Sequence, residues 1–245
     1  MSNPRIRAFS THLLISAGLA LAILYLVFFI WHPSPLHTAV GVTKIFLMLI
    51  AIDVVLGPCL TLMVYKQGKK TLAMDLSIIC ALQLGALLYG LHTVADGRPA
   101  WLVFADERFQ LVRANEIDGR RLGEAKIEYR SPPWMGPRWV SVLEPESADE
   151  KGNLLFESVF AGVDISQHPE LYQSLSTAES AMQEAGKPLA LLEKYNTREA
   201  VAAILEIYPN AGAWLPLKAN QKDMVVLLKG NSGEVIAIVD AQPWN

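Results

Sequence analysis

Hydrophobic and polar positions along this chain fall into two regimes. Residues 13–31 read LLISAGLALAILYLVFFIW without a single charge, close to the roughly 20 apolar residues that a helix needs to cross a bilayer core. A second apolar run spans 42–65, interrupted by Asp53 and by Gly57 and Pro58. A third spans 72–94, with Asp75 near its start and Gln83 near its middle. Three membrane helices are expected, at about 13–31, 42–65 and 72–94. The first run ends in bulky FFIWHPSP, not in the short apolar stretch and small residues of a cleaved secretion signal, so it reads as a retained helix.

Beyond residue 95 the period changes. AWLVFADERFQLVRA contains two short β-prone runs, 101–104 and 109–113, around a polar turn. RSPPWMGPRW is proline-rich and reads as a loop, whose Trp134 and Trp139 either touch a partner or lipid headgroups or pack over the core. A helix is expected from near Pro169 to just before Gly186. Another is expected from Asn196, where NTRE supplies a capping side chain and Glu199 three residues later. Val201, Ile204, Leu205 and Tyr208 form its apolar face, and Pro209 ends it. The closing MVVLLKGNSGEVIAIVD reads as two β-rich runs around a Gly-Asn-Ser-Gly turn, a hairpin. The expected class is α+β: a three-helix transmembrane bundle in residues 1–94, then a mixed α+β domain in 95–245.

Charge adds an orientation. Before residue 95 there are 6 basic and 2 acidic residues; after it there are 15 and 22. Arg5 and Arg7 precede the first helix, Lys66, Lys69 and Lys70 fill the KQGKK turn, and HPSPLHTAVGVT carries no Lys or Arg. The positive-inside rule then places the N-terminus and the lysine turn in the cytoplasm and the second domain on the far side. Trp31 and Trp101 fall near the outer boundary and Tyr65 near the inner one, as interfacial aromatics do. An acidic outer domain without a basic aromatic platform argues against nucleic acid as a partner. Cys59 and Cys80, the only cysteines, lie in expected membrane helices, so the outer domain has to hold together without a disulfide.

Candidate chemistry centres on Asp53. It sits about 18 Å from the end of its helix near Tyr65, at mid-membrane depth. A charged Asp there costs about 3 kcal/mol, so it should face protein. Gln83 reaches nearly the same depth, and its amide both donates and accepts, which makes it the expected partner. Asp75, Ile79, Gln83, Ala86 and Gly90 share one side of the third helix, with Tyr89 beside Gly90; Asp53, Gly57 and Thr61 form a related strip on the second. Pro58 frees the carbonyl of Val54, which a close neighbour has to serve. Ser16 with Ala20, and Gly18 with Ala22, place small residues four apart on the first helix and permit near approach of another. Either these features stabilise a compact bundle or part of the polar surface receives another protein's membrane helix; the two readings are compatible.

Enzyme readings fare worse. An aspartyl protease needs carboxylates close enough to share a proton, whereas Asp75 lies about 12 Å nearer the cytoplasm than Asp53 on straight-helix geometry. Asp75 is expected instead beside Lys69 or Lys70, or at the favourable N-terminal end of its helix. His32, His37 and His92 match no specific metal-site spacing. GNSG lacks the strand-to-helix context of a nucleophile elbow, and no phosphate-binding glycine loop is present. No cofactor and no metal are therefore expected. A membrane-anchored periplasmic sensor remains an alternative, although the short turn and brief N-terminus leave little cytoplasmic output domain. An intramembrane hydrolase would need a converging nucleophile and base, and none is identified.

The segments DVVLGPCLTLMVYKQGKKTLAMDL, LQLGALLYGLHTVADGRP, LVFADERFQLVRANEI and DMVVLLKGNSGEVIAIVDAQPW resemble the successive hallmarks of the TfpX/TfpZ family of type IV pilin accessory proteins. Their ordered Asp, Gly-Pro, Lys-Lys, Asp, Gln, Tyr-Gly and Arg-Pro elements carry the resemblance; the middle, about 122–219, is less distinctive. The resemblance implies a protein of the bacterial inner membrane that assists pilus assembly; with the orientation read from charge, its C-terminal domain is expected to be periplasmic. The resemblance further implies direct contact with a cognate type IV pilin that carries an acidic residue in its membrane segment. Other pilus assembly components and the lipid bilayer are further expected partners, and no catalytic residue is transferred. Arg98 and Pro99, at the exit from the third helix, either anchor headgroups or join the two domains. Arg108 and Phe109, at the first hairpin, serve either local structure or docking.

Overall fold

The computed structural model describes residues 3–143, 147, 152, 154, 156–230 and 232–244. Helix α1 (Pro4–Tyr25) begins well ahead of the apolar run because Pro4 suits a first turn and the Asn3 side chain accepts from the Arg5 N–H at 3.0 Å. Its last stretch, Leu26–Trp31, is π-helical. A single turn, α2 (Leu36–Ala39), precedes α3 (Val42–Val64) and α4 (Leu72–Asp96). Pro4–Trp31, Val42–Val64 and Leu72–Asp96 are each long and apolar enough to cross a membrane.

Helix α3 is the central one, with α1 and α4 packed against it. The buried stripe of α1 is Ser16, Ala20, Ile23 and Val27, spaced four and three apart. Gly18 and Ala22, expected as a second contact stripe, are exposed. On α4 the buried side is Ile79, Leu87 and Gly90, so Leu87 takes the place expected for Ala86, which faces outward. Gly90 lets Leu49 approach: a Cβ there would come within 2.3 Å of Leu49 Cδ1 and displace that side chain.

Gly97 and Arg98 lead α4 directly into β1 (Pro99–Ala105). The chain reverses through Asp106 and Glu107, both at positive φ, into β2 (Arg108–Arg113). The remaining strands are β3 (Arg138–Val142), β4 (Tyr172–Ser174), β5 (Lys187–Pro188), β6 (Ala211–Lys218), β7 (Met224–Lys229) and β8 (Val235–Val239). Helices α5 (Glu179–Ala185) and α6 (Arg198–Ile207) lie between them. Among the described residues these form one mixed sheet, in the order β4-β3-β1-β2-β6-β7-β8 with β5 on β6. The β1/β3 and β2/β6 pairs are parallel and the rest antiparallel.

Both faces of the sheet are covered, which is why its central strands read as unbroken apolar runs. Leu102, Phe104, Phe109, Leu217 and Val226 pack on one side with Met182 of α5. Trp101, Val103, Val140 and Tyr172 fill the other side, continued by Trp214, Val225 and Leu227 beneath Val201 of α6. Leu36 and Ala39 of α2, in the link between the first two spans, belong to the first of these cores. The Ala39 carbonyl accepts from the N–H groups of Gln221 and Lys222, at 2.9 and 3.1 Å. The membrane helices and the sheet thus share a core at their junction.

Three further expectations need correction. The helix expected from Pro169 is a 3₁₀ turn, the strand β4 and a second 3₁₀ turn before α5 begins at Glu179. Tyr172 accounts for the break: in β4 its ring packs edge-on to Trp101 and Tyr129 and its hydroxyl donates to the Ser166 carbonyl. Helix α6 is capped by Thr197, whose hydroxyl accepts from the Ala200 N–H at 3.3 Å; Asn196 instead binds the Leu192 carbonyl and both backbone groups of Gln242. Trp139 is not in a loop but in β3, against Phe109. The closing hairpin forms as β7 and β8, while Asn231 of its turn lies outside the described residues.

Candidate functional site

In the half of the bundle nearer the lysine turn, residues of α1, α3 and α4 line a cavity of about 450 Å³. Its floor is polar, made by His12, Ser16, Asp53, Thr61 and Gln83; its walls include Ile15, Leu19, Leu84 and Leu87. His12 Nδ1 and Thr61 Oγ1 are 2.6 Å apart and tie α1 to α3. Beside them Arg5 Nε donates to the Leu62 carbonyl, near the C-terminal end of α3, where a cation complements the helix dipole.

Gln83 reaches Asp53 as expected, acting on its carboxyl and also on its main chain. Its Nε2 donates to the main-chain carbonyl of Asp53 at 3.0 Å, one residue before the Val54 carbonyl that Pro58 leaves without its helical donor. Gly57 makes this possible, since a Cβ there would lie 1.9 Å from Gln83 Nε2. Gln83 Oε1 is then left buried without a hydrogen-bond partner. Asp53 and Thr61 line the same cavity, while Gly57 and Pro58 are buried in the α3 wall.

The other intramembrane candidates are elsewhere. Asp75, in the first turn of α4, pairs with Lys69 Nζ at 2.6 Å and accepts from the Thr71 hydroxyl at 3.1 Å. Tyr89 is 76% exposed and not part of the cavity, and Gly90 packs on Leu49 near the other end. Arg98 is buried at the junction: its guanidinium donates to the carbonyls of Ala95, Pro132 and Pro133 and lies 4.0 Å over the Trp134 ring. Pro99 is buried where β1 starts. Arg108 is half-buried at the start of β2 and acts electrostatically on Asp164. Phe109, a docking candidate in the sequence, is wholly inside the core between Phe104 and Trp139.

A fimbrial assembly protein of Dichelobacter nodosus, serogroup I, is 30% identical to this chain over 240 residues, covering 94% of this chain and 93% of the relative. The chain belongs to the fimbrial assembly protein family. The serogroup E1 protein of the same organism is 31% identical over the same length, and the serogroups C1 and C2 protein is 32% identical over 108 residues, 43% of this chain and 82% of that one. The family model described as fimbrial assembly protein FimB matches residues 2–41. No solved structure matches the chain.

The stretch of this family member that the FimB model matches carries two floor residues of the cavity, His12 and Ser16, and the α2 turn that enters the sheet core. His12 escaped the sequence reading because it precedes the apolar run; a helix starting at Pro4 would have revealed it. A second polar cluster was also missed. Among the described residues, Asp118, Glu157 and His168 place ligating atoms within 4.8 Å of one another. Arg120 takes Asp118 at 2.7 Å and Glu157 at 3.1 Å, Arg121 takes Glu157 at 3.1 Å and Glu170 at 2.9 Å, and His168 Nδ1 meets Glu170 at 3.0 Å. The hydrogen bond from Arg120 holds the Asp118 carboxyl below its ordinary pKa. Burial pushes Glu170 up, but His168, a backbone N–H and Arg121 outweigh it and its pKa is lowered. Arg120 and Arg121 already hold the Asp118 and Glu157 carboxylates, so the cluster is an ion-pair network in the region between β2 and β4, with His168 Nε2 and Glu170 Oε2 buried without a hydrogen-bond partner. His32, His37 and His92 take separate partners: the Val27 carbonyl, Thr43 and Asp96.

Proposed function

We propose that this chain is an inner-membrane accessory factor for type IV pilus assembly, of the TfpX/TfpZ kind, that holds a cognate pilin by its apolar membrane helix and acts without catalysis. The observation that carries this reading is the cavity between α1, α3 and α4. Exposed leucines on its walls, Leu19 and Leu84, suit an apolar helix, and the polar floor favours one register over others. A pilin helix that brings a polar residue to this depth would meet His12, Asp53 and Gln83, which line the cavity. The fimbrial assembly relatives support the pilus role.

Orientation follows from charge. Arg5, Arg7, Lys66, Lys69 and Lys70 gather at one end of the helices, against Lys44 and Arg98 at the other, which supports a cytoplasmic lysine turn and a periplasmic sheet domain. That domain would stand beside the pilin head while the helices hold its stem. A photo-crosslinking residue at Leu84, in cells making the cognate pilin, tests the reading. The expected result is a pilin adduct that weakens in the Gln83→Leu variant. Normal piliation with no pilin adduct from position 84 or 19 overturns it.

A further inference from the structure

We propose that the segment around Trp134 and Met135 seats the sheet domain on the bilayer, in the headgroup layer at the end of the spans from which that domain emerges. Two clamps fix its level. On one side Arg98, two residues beyond α4, donates to the Pro132 and Pro133 carbonyls at 3.3 and 3.1 Å and covers the Trp134 ring. On the other side Trp31, the last residue of the first span, has its ring centroid 6.0 Å from that of Trp134. Gly136 sits so close to the Ile30 carbonyl that a Cβ would be 2.9 Å from it. Residues 132–136 are therefore wedged between the ends of the first and third spans, where a bilayer passes from hydrocarbon to headgroups.

Despite both clamps, Trp134 is 60% exposed and Met135 81% exposed. Large apolar side chains bared at this level find lipid beside them, and an indole there buries its ring while its N–H stays among headgroups. Charge agrees with the same occupant. Lys126, Arg130 and Arg138 are exposed and flank the segment in the chain, and Glu128 is the one acidic residue in 126–138, within a domain that is acidic as a whole. A cationic rim about an apolar tip is the pattern that anionic phospholipid attracts. The occupant is the bilayer surface continuous with the lipid around the spans. This inference stands independently of pilin binding.

The test uses the full chain with Cys59→Ser and Cys80→Ser, in nanodiscs of phosphatidylcholine with phosphatidylglycerol. A nitroxide is attached at Met135→Cys, or at Glu184→Cys near the hairpin tip of β1 and β2, which shares a cavity with Asp106 and Glu107. Strand β1 carries that tip about 20 Å from its start at the membrane end. At position 135 collisions with oxygen should exceed those with a water-soluble nickel chelate several-fold, and at 184 the order should reverse. Discs of phosphatidylcholine alone should shift position 135 toward water. Brominated phospholipid should also quench the native chain more than the Trp134→Phe variant. Equal behaviour at 135 and 184, or equal quenching with and without Trp134, overturns the seat; equal collision rates in neutral and anionic discs overturn the role of Lys126, Arg130 and Arg138.

Discussion

Gly57 and Gln83 show how one missing side chain fixes a helix contact. The Gln83 amide occupies the space a Cβ would take at Gly57 and donates across to α3. Gly57→Ala should therefore destabilise the bundle by about 1–3 kcal/mol through overpacking. Gly57→Ala with Gln83→Ala should recover part of that loss, a coupling that thermal melts of the detergent-solubilised single and double variants would measure. The hairpin tip offers the opposite case. Glu107 sits at φ +59°, a left-handed conformation that costs a side chain about 1–2 kcal/mol and glycine almost nothing. Glu107→Gly should raise the melting temperature of the sheet domain. Depth arithmetic foresaw that Gln83 and Asp53 would meet, and the Lys69–Asp75 pair was equally legible. That Gln83 would also take the main-chain carbonyl of Asp53 was not, because rotamers answer to packing on the partner helix.

Elements with a strong local signal form in the regions where the sequence puts them, although α1 starts at Pro4, well ahead of its apolar run. The three apolar helices, the β1/β2 hairpin and the β7/β8 hairpin all do so. Strands β3 and β6 carry weaker signals: β3 follows a proline-rich loop, and β6 contains Gly212 and Pro216, residues that argue against a central strand. Strand β3 pairs with β1 and β4, both distant in the chain, and β6 joins the distant β2 as well as its neighbour β7. The shift of the α6 cap from Asn196 to Thr197 has the same origin, since Asn196 is already engaged with Gln242. Thr197→Ala should cost about 1 kcal/mol and speed hydrogen exchange in the first turn of α6.

Across the whole molecule the junction ties the two parts together. Leu36 is buried in the sheet core although it belongs to the link between membrane helices. Leu36→Ala should cost about 2–5 kcal/mol and loosen the sheet domain, seen as earlier proteolysis of residues beyond 95. Acid should act on the sheet domain too. Asp118 and Glu170 have folded pKa values below the ordinary carboxylate range, as does Asp164, whose burial pushes it up less than the Ser166 N–H and Gln110 pull it down. Unfolded carboxylates titrate near pH 4. Groups depressed in the fold stabilise it fully above that value and lose the contribution as pH falls through the lower folded values. Tryptophan-fluorescence melts should therefore change little on this account from about pH 7 to 5 and fall steeply below about pH 4. Apolar length and charge asymmetry sufficed to read three spans followed by an acidic α+β domain, because lipid imposes its demands on each segment locally. The shared core at α2, the polar floor with His12 and the wedge around Trp134 required the fold. Each joins residues far apart in the chain, and neither periodicity nor propensity records which distant surfaces will meet.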